Sequence, residues 1–198
     1  MSVDDLVQRL MKELGSLRER RDTLAFFMSD NGYLWGEHRA ISKNLPYTPS
    51  IEIPFLARFP GALQSGAVSD RPTLNVDVAP TVAEVTGLPD AFKEGMDGVS
   101  ILHDVKRRRL FFEHWGSYGR GYVPPWFSIR SSRYHFIVYP PRHKGRPILE
   151  YYDLTKDPWE LTNLFGDDRR SNDPPRARIE RLLELVRRYR RCTGASCP

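Results

Sequence analysis

Asp30-Asn31-Gly32-Tyr33-Leu34-Trp35-Gly36-Glu37-His38-Arg39 follows, after Ser29, on the apolar run Thr23-Leu24-Ala25-Phe26-Phe27-Met28. An apolar run ending in a carboxylate, a carboxamide and a glycine reads as a buried strand that delivers oxygen donors to a sheet edge. At the carboxyl end of a strand in an open α/β sheet such donors sit where these folds bind substrates, and Asp and Asn oxygens suit a hard cation such as Ca²⁺ or Mg²⁺. The same letters carry a second reading, because Asn-Gly is also the commonest signal for a turn that closes a hairpin.

Upstream, Val3, Leu6, Val7, Leu10 and Leu14 recur at the helical period, with Ser2 and Asp5 in a capping pattern at the entry and Gly15 near the exit. Helix followed by strand is one unit of an α/β sheet. Downstream, residues 51–59 read as a second strand, with Pro54 marking an edge or a bulge. Residues 79–86 read as a helix with Pro80 in its first turn, Asp77 facing its positive end and Gly87-Leu88-Pro89 stopping it. Residues 110–115, 126–130 and 133–139 are rich in aromatic and branched side chains and read as strands of a small sheet. A last helix over 177–191 carries Ile179, Leu182, Leu183 and Val186 on one stripe, after Pro174-Pro175.

With 198 residues and 40% hydrophobic content, one domain, or a domain with a small appendage, is the expected organisation. No apolar run approaches the ~20 residues that span a bilayer, and the N-terminus lacks the layout of a signal peptide. As given, the chain is expected in the cytoplasm, away from membranes, with export left to a longer parent. Lys and Arg number 30 against 25 Asp and Glu. The basic clusters are dispersed and follow no nucleic-acid motif, so a solvated surface that weakly favours anions is expected in place of nucleic-acid binding. Both cysteines lie at the end, as Cys192 and Cys197. Four intervening residues allow a small disulfide loop, which suits an oxidising compartment; a redox or zinc role fits the spacing less well.

Ser29-Asp30-Asn31-Gly32-Tyr33, Gly36-Glu37-His38-Arg39, Lys43-Asn44-Leu45-Pro46-Tyr47, Ile51-Glu52-Ile53-Pro54-Phe55, Asn75-Val76-Asp77 and Met96-Asp97-Gly98 occur in the order and spacing of a type I, formylglycine-dependent sulfatase. Towards the other end, Trp126-Phe127-Ser128-Ile129-Arg130, Tyr152-Asp153-Leu154 and Asp157-Pro158 with Glu160-Leu161-Thr162-Asn163-Leu164 resemble that family's small C-terminal antiparallel sheet. The resemblance covers nearly the whole chain but only the C-terminal portion of the family, within the alkaline phosphatase superfamily. It implies an α/β fold: part of the sulfatase sheet with helices over residues 1–105, then a small antiparallel subdomain with a terminal helix over 106–198.

The resemblance also implies roles. Asp30 and Asn31 take the place of the family's Ca²⁺ ligands, Lys43 that of the lysine holding a sulfate oxygen, with Ser42 where a Gly usually precedes it. His38 takes a position that faces the substrate pocket. The family's nucleophile arises from Cys or Ser in [CS]-x-P-x-R, and no Ser or Cys here stands in that motif; the nearest approach, Asn172-Asp173-Pro174-Pro175-Arg176, has Asn at the position needed. The upstream metal aspartates of the family are absent as well. The expectation is therefore a C-terminal fragment of a sulfuric ester hydrolase, inactive alone, binding Ca²⁺ weakly and completed by an N-terminal half. A sulfated small molecule or carbohydrate would be its substrate. A non-catalytic remnant or binding fragment, or part of a related phosphoester or phosphonate hydrolase, is the alternative. Trp115, Trp126, Tyr118 and Tyr122 read as core of the small sheet or as a sugar-binding wall.

Overall fold

The computed structural model describes residues 2–89, 94–104, 107–116 and 123–197. Helix α1 spans Val3–Ser16, entered through a reciprocal cap in which Asp5 N–H donates to Ser2 Oγ and Ser2 N–H to the Asp5 carboxylate. Most of its apolar stripe is uncovered: Val3, Leu6, Val7 and Leu10 are exposed, Leu14 is partly buried and no residue of the helix is fully buried. Strand β1, Ala25–Met28, follows. A short hairpin, β2 (Leu34–Trp35) and β3 (Ile41–Ser42), flanks a 3₁₀ turn at Glu37–Arg39.

A single helical turn, α2 (Thr48–Ile51), then leads to β4 (Phe55–Arg58), which pairs antiparallel with β1 from Met28 opposite Phe55 to Ala25 opposite Arg58. The strand expected over 51–59 is thus shorter. It starts only after Pro54, whose missing N–H cannot join a ladder. The pairing also decides the Asn31-Gly32 ambiguity, since β1 and β2 are not partners and no hairpin is closed there.

After a 3₁₀ turn at Asn75–Asp77 comes helix α3, Val78–Val85. The expected cap by Asp77 does not form. Asp77 is buried, and its carboxylate accepts from Leu74 N–H (2.8 Å), Val99 N–H (2.9 Å) and the Arg107 guanidinium in a fork of 2.7 and 2.8 Å. A bidentate Arg and two amides outcompete the weak field of a two-turn helix.

The largest sheet among the described residues is a four-stranded antiparallel meander, β5 (Leu110–His114), β6 (Trp126–Arg130), β7 (Tyr134–Tyr139) and β8 (Ile148–Asp153), in that spatial order. One face packs on helix α4, Arg176–Tyr189. Phe127, Ile129, Phe136, Val138 and Tyr151 meet Ile179, Leu182 and Val186 there, with Leu183 partly buried beside them. The opposite face carries Trp126, Ile137 and Tyr152 and receives Tyr47 and Ile51 from the N-terminal half. Strand alternation thus gives the sheet one apolar face for its own helix and a second, more polar face for the segment 43–51. Trp126 is therefore core, whereas Trp115 is exposed under the Arg190 guanidinium; Tyr118 and Tyr122 lie outside the described residues.

Candidate functional site

The end of β1 delivers Asp30 to an open cleft lined by residues of both halves. Asp30 accepts from its neighbour Asn31 N–H (2.9 Å), and the Lys43 ammonium donates to its other carboxylate oxygen at 3.2 Å. That ammonium holds the Asp30 carboxyl below the usual carboxylate range. The loop is tied down by Asn75, whose side-chain amide donates to the Asp30 carbonyl (2.9 Å), and by Ser29 Oγ donating to the Asn31 carbonyl (2.8 Å). Asn31 spends its own amide N–H on the Gly32 carbonyl (2.7 Å).

Gly32 is needed for close approach. A Cβ there would lie 2.1 Å from the Pro49 carbonyl oxygen and 2.6 Å from that of Glu52, while its N–H donates to Ser50 O at 2.9 Å. The Asp-Asn-Gly loop and the segment 43–51 are therefore seated directly on each other. Gly98 makes a similar fit, with Val76 O only 2.0 Å from where its Cβ would stand.

Of the candidates, Asp30 and Lys43 are brought into contact, whereas His38 lies flat on Tyr47, ring centroids 3.8 Å apart and planes within 7°. Burial holds the His38 imidazole below its ordinary value, against the pull of Glu160 and Asp157. Ser42, where the resemblance expects Gly, keeps a glycine-like backbone at φ 113, and Asn44 follows at φ 74. Cys192 and Cys197 are joined in a disulfide whose loop docks on the Met96-Asp97-Gly98 segment, Gly194 N–H donating to Asp97 at 2.6 Å.

Sequence reasoning missed what holds Lys43 in place. Tyr47 O–H points to the Glu150 carboxylate (3.3 Å), which also accepts from Tyr152 O–H (2.9 Å). Burial raises the Glu150 carboxyl, and it pushes Tyr47 up to about 12 with the Glu150 charge adding to the effect. Next along the segment, Thr48 N–H donates to Glu160 Oε2 (2.8 Å), and Glu160 Oε1 meets His135 Nδ1 at 2.6 Å. The signal was a histidine inside Tyr134-His135-Phe136-Ile137-Val138: a titratable group in a run buried on both faces needs a partner. His143, by contrast, is exposed.

Residues 36–187 match the family described as N-sulphoglucosamine sulphohydrolase, C-terminal. The chain belongs to the sulfatase family. An N-acetylglucosamine-6-O-sulfatase of Bacteroides thetaiotaomicron is 26% identical to this sulfatase-family chain over 84% of its length, and the chain spans 30% of that relative. A structure in complex with its substrate, D-glucosamine-2-N,6-O-disulfate, aligns with TM-score 0.77 at 24% identity, covering 93% of this chain and 37% of the other. The phosphonate monoester hydrolase of Agrobacterium radiobacter aligns with TM-score 0.73 at 24% identity, covering 93% and 38%. At these identities the two structures establish the sulfatase-type fold alone. The chain thus corresponds to the C-terminal portion of its relatives, spanning well under half of their length.

Proposed function

We propose that this chain is the sulfate-cradling C-terminal part of a sulfuric ester hydrolase acting on a sulfated small molecule or carbohydrate. The observation that carries the reading is the convergence of Lys43 on Asp30 at the end of β1, where Asp30, Asn31 and Asn44 line the open cleft. A fixed ammonium there meets sulfuryl oxygens and offsets the charge that grows on them as the ester bond breaks. His38, neutral at pH 7 because burial lowers it, donates one ring N–H to a substrate oxygen without adding net charge.

Asp30 and Asn31 are two side chains with three oxygens between them, two of which belong to one carboxylate that Lys43 and the Asn31 N–H already engage, against the 6–8 that Ca²⁺ takes. Among the described residues no group of three or more His, Cys, Asp or Glu side chains is placed for a metal. These residues alone do not fit a Ca²⁺ ion, and such a site belongs to our proposal only for a whole sulfatase that adds further donors. The nucleophile likewise has to come from outside these 198 residues. The division at 105/106 completes the proposal, the first part carrying Lys43 and the second serving as its platform. No helix among the described residues is long and apolar enough to cross a membrane. The disulfide favours an oxidising compartment for the whole protein over the cytoplasm.

Calorimetric titration with inorganic sulfate tests the reading. Binding by the chain that is lost in Lys43→Ala supports it; equal heats from both proteins would overturn it. A chromogenic aryl sulfate should show no turnover by the chain alone, and turnover would mean a nucleophile other than formylglycine. A phosphonate that competes with sulfate at Lys43 would favour the phosphonate hydrolase alternative.

A further inference from the structure

Segment 43–51 owes its place to contacts from another part of the chain. Trp126 Nε1–H, on β6, donates to the Asn44 carbonyl at 2.7 Å, and Gly32 N–H donates to Ser50 O at 2.9 Å. Between these two anchors the Thr48 N–H, at the open end of the single-turn helix α2, points to Glu160 Oε2 at 2.8 Å. Glu160 is 1% exposed and stands at φ 59, a left-handed backbone that a glutamate adopts only under constraint from its surroundings. Asp157 supplies that constraint: its carboxylate accepts the N–H groups of Leu161 (3.0 Å) and Thr162 (2.8 Å), bending the chain around Glu160. The other Glu160 oxygen is held by His135, which is fully buried on β7.

We infer that Glu160 is a positioning residue: clamped between His135 of the sheet and the Thr48 N–H, it fixes the segment 43–51 and thereby places Lys43 beside Asp30. The inference rests on the reading of Lys43 as the sulfate-binding cation, but the contact it explains is independent of any ligand. Charge matters in this clamp. Burial opposes ionisation of Glu160, yet the hydrogen bonds from His135 and Thr48 outweigh it and leave the carboxyl below its ordinary range, while burial keeps His135 below its own. The pair is a carboxylate facing a neutral imidazole at pH 7, so the peptide N–H of Thr48 meets a full negative charge.

The test compares the chain with Glu160→Ala and Glu160→Gln, and uses no sulfate. Hydrogen exchange is followed at the Trp126 indole and the Gly32 and Thr48 amides, with β7 amides as the reference. Acetylation of Lys43 is followed by mass spectrometry, with Lys12, Lys144 and Lys156 as internal controls. Glu160→Ala should speed exchange at the three reporters by about tenfold or more, as expected for losing a hydrogen bond to a charged acceptor. Lys43 labelling should rise several-fold, with the β7 amides and control lysines unchanged. Glu160→Gln should restore most of the protection, because its amide offers an acceptor to Thr48 and a donor to His135 once the imidazole switches tautomer.

If Glu160→Ala does not fold, Thr48→Pro answers the question. It removes that N–H at a first-turn position that proline tolerates, together with the hydroxyl that accepts from Arg130 at 3.4 Å, and leaves the Glu160 and His135 pair in place. Unchanged exchange and labelling in a folded Glu160→Ala or in Thr48→Pro would overturn the inference. Failure of sulfate to bind, with these shifts present, would instead overturn the reading of Lys43.

Discussion

Ser42 and Glu150 are side chains at odds with their surroundings, and each gives a measurable consequence. At φ 113 Ser42 occupies backbone space that suits glycine, a conformation costing an ordinary residue on the order of 1–3 kcal/mol. Ser42→Gly should raise stability by about 1 kcal/mol after the added freedom of the unfolded chain is subtracted, as read from a denaturant midpoint. Glu150 is ionisable, half-buried and raised above its unfolded value of about 4.3. A carboxyl raised in the folded state favours folding most below that unfolded value, and the advantage disappears as pH climbs through its folded midpoint. Glu150→Gln keeps an acceptor for Tyr47 and Tyr152 without the charge. The melting temperature of the unmodified chain should therefore fall relative to Glu150→Gln as pH rises above about 4. Parallel curves would show that Glu150 titrates as it does in the unfolded chain. Glu160, lowered in the folded state, acts in the opposite sense, its contribution disappearing as pH falls through its midpoint.

Helix α4 was legible because its stripe is strictly periodic and its partner sheet lies in the same chain. Leu182 is 4% exposed between α4 and the sheet, so Leu182→Ala should cost about 2–5 kcal/mol and lower the melting temperature accordingly. Helix α1 has an equally regular stripe, and the capping pattern of Ser2 and Asp5 marks its start. Its packing was not legible, because periodicity reports that a face is apolar and says nothing of what covers it. The capping role expected of Asp77 failed for a related reason: position beside a helix start is a local property, whereas the competing Arg107 stands 30 residues away. The hairpin reading of Asn31-Gly32 fell because β1 found its partner in β4.

For the whole molecule, the paired strands β1 and β4 have no third strand among the described residues, and the apolar face of α1 is exposed from Val3 to Leu10. Unpaired edges and apolar stripes favour association. The purified chain should self-associate in sedimentation as concentration rises, and Leu6→Glu with Leu10→Glu should reduce this without lowering the melting temperature. A cooperative melt of a monomer at every concentration would refute it. Sequence alone determined the elements whose signals are local or periodic: the capped first helix, the apolar strand feeding Asp30 and Asn31, the aromatic strands, the striped last helix, and the order of motifs that marks a sulfatase. It also pointed to Lys43, since that residue stands in one of those motifs. Only the tertiary structure decided what Lys43 faces and what holds it: the 3.2 Å contact with Asp30, the seat of Gly32 on Pro49 and Glu52, and the buried clamp of His135, Glu160 and Thr48. These contacts join residues up to 112 positions apart. Spacing along a chain carries no record of such approaches, which arise when buried charges and backbone donors must find partners in the folded core.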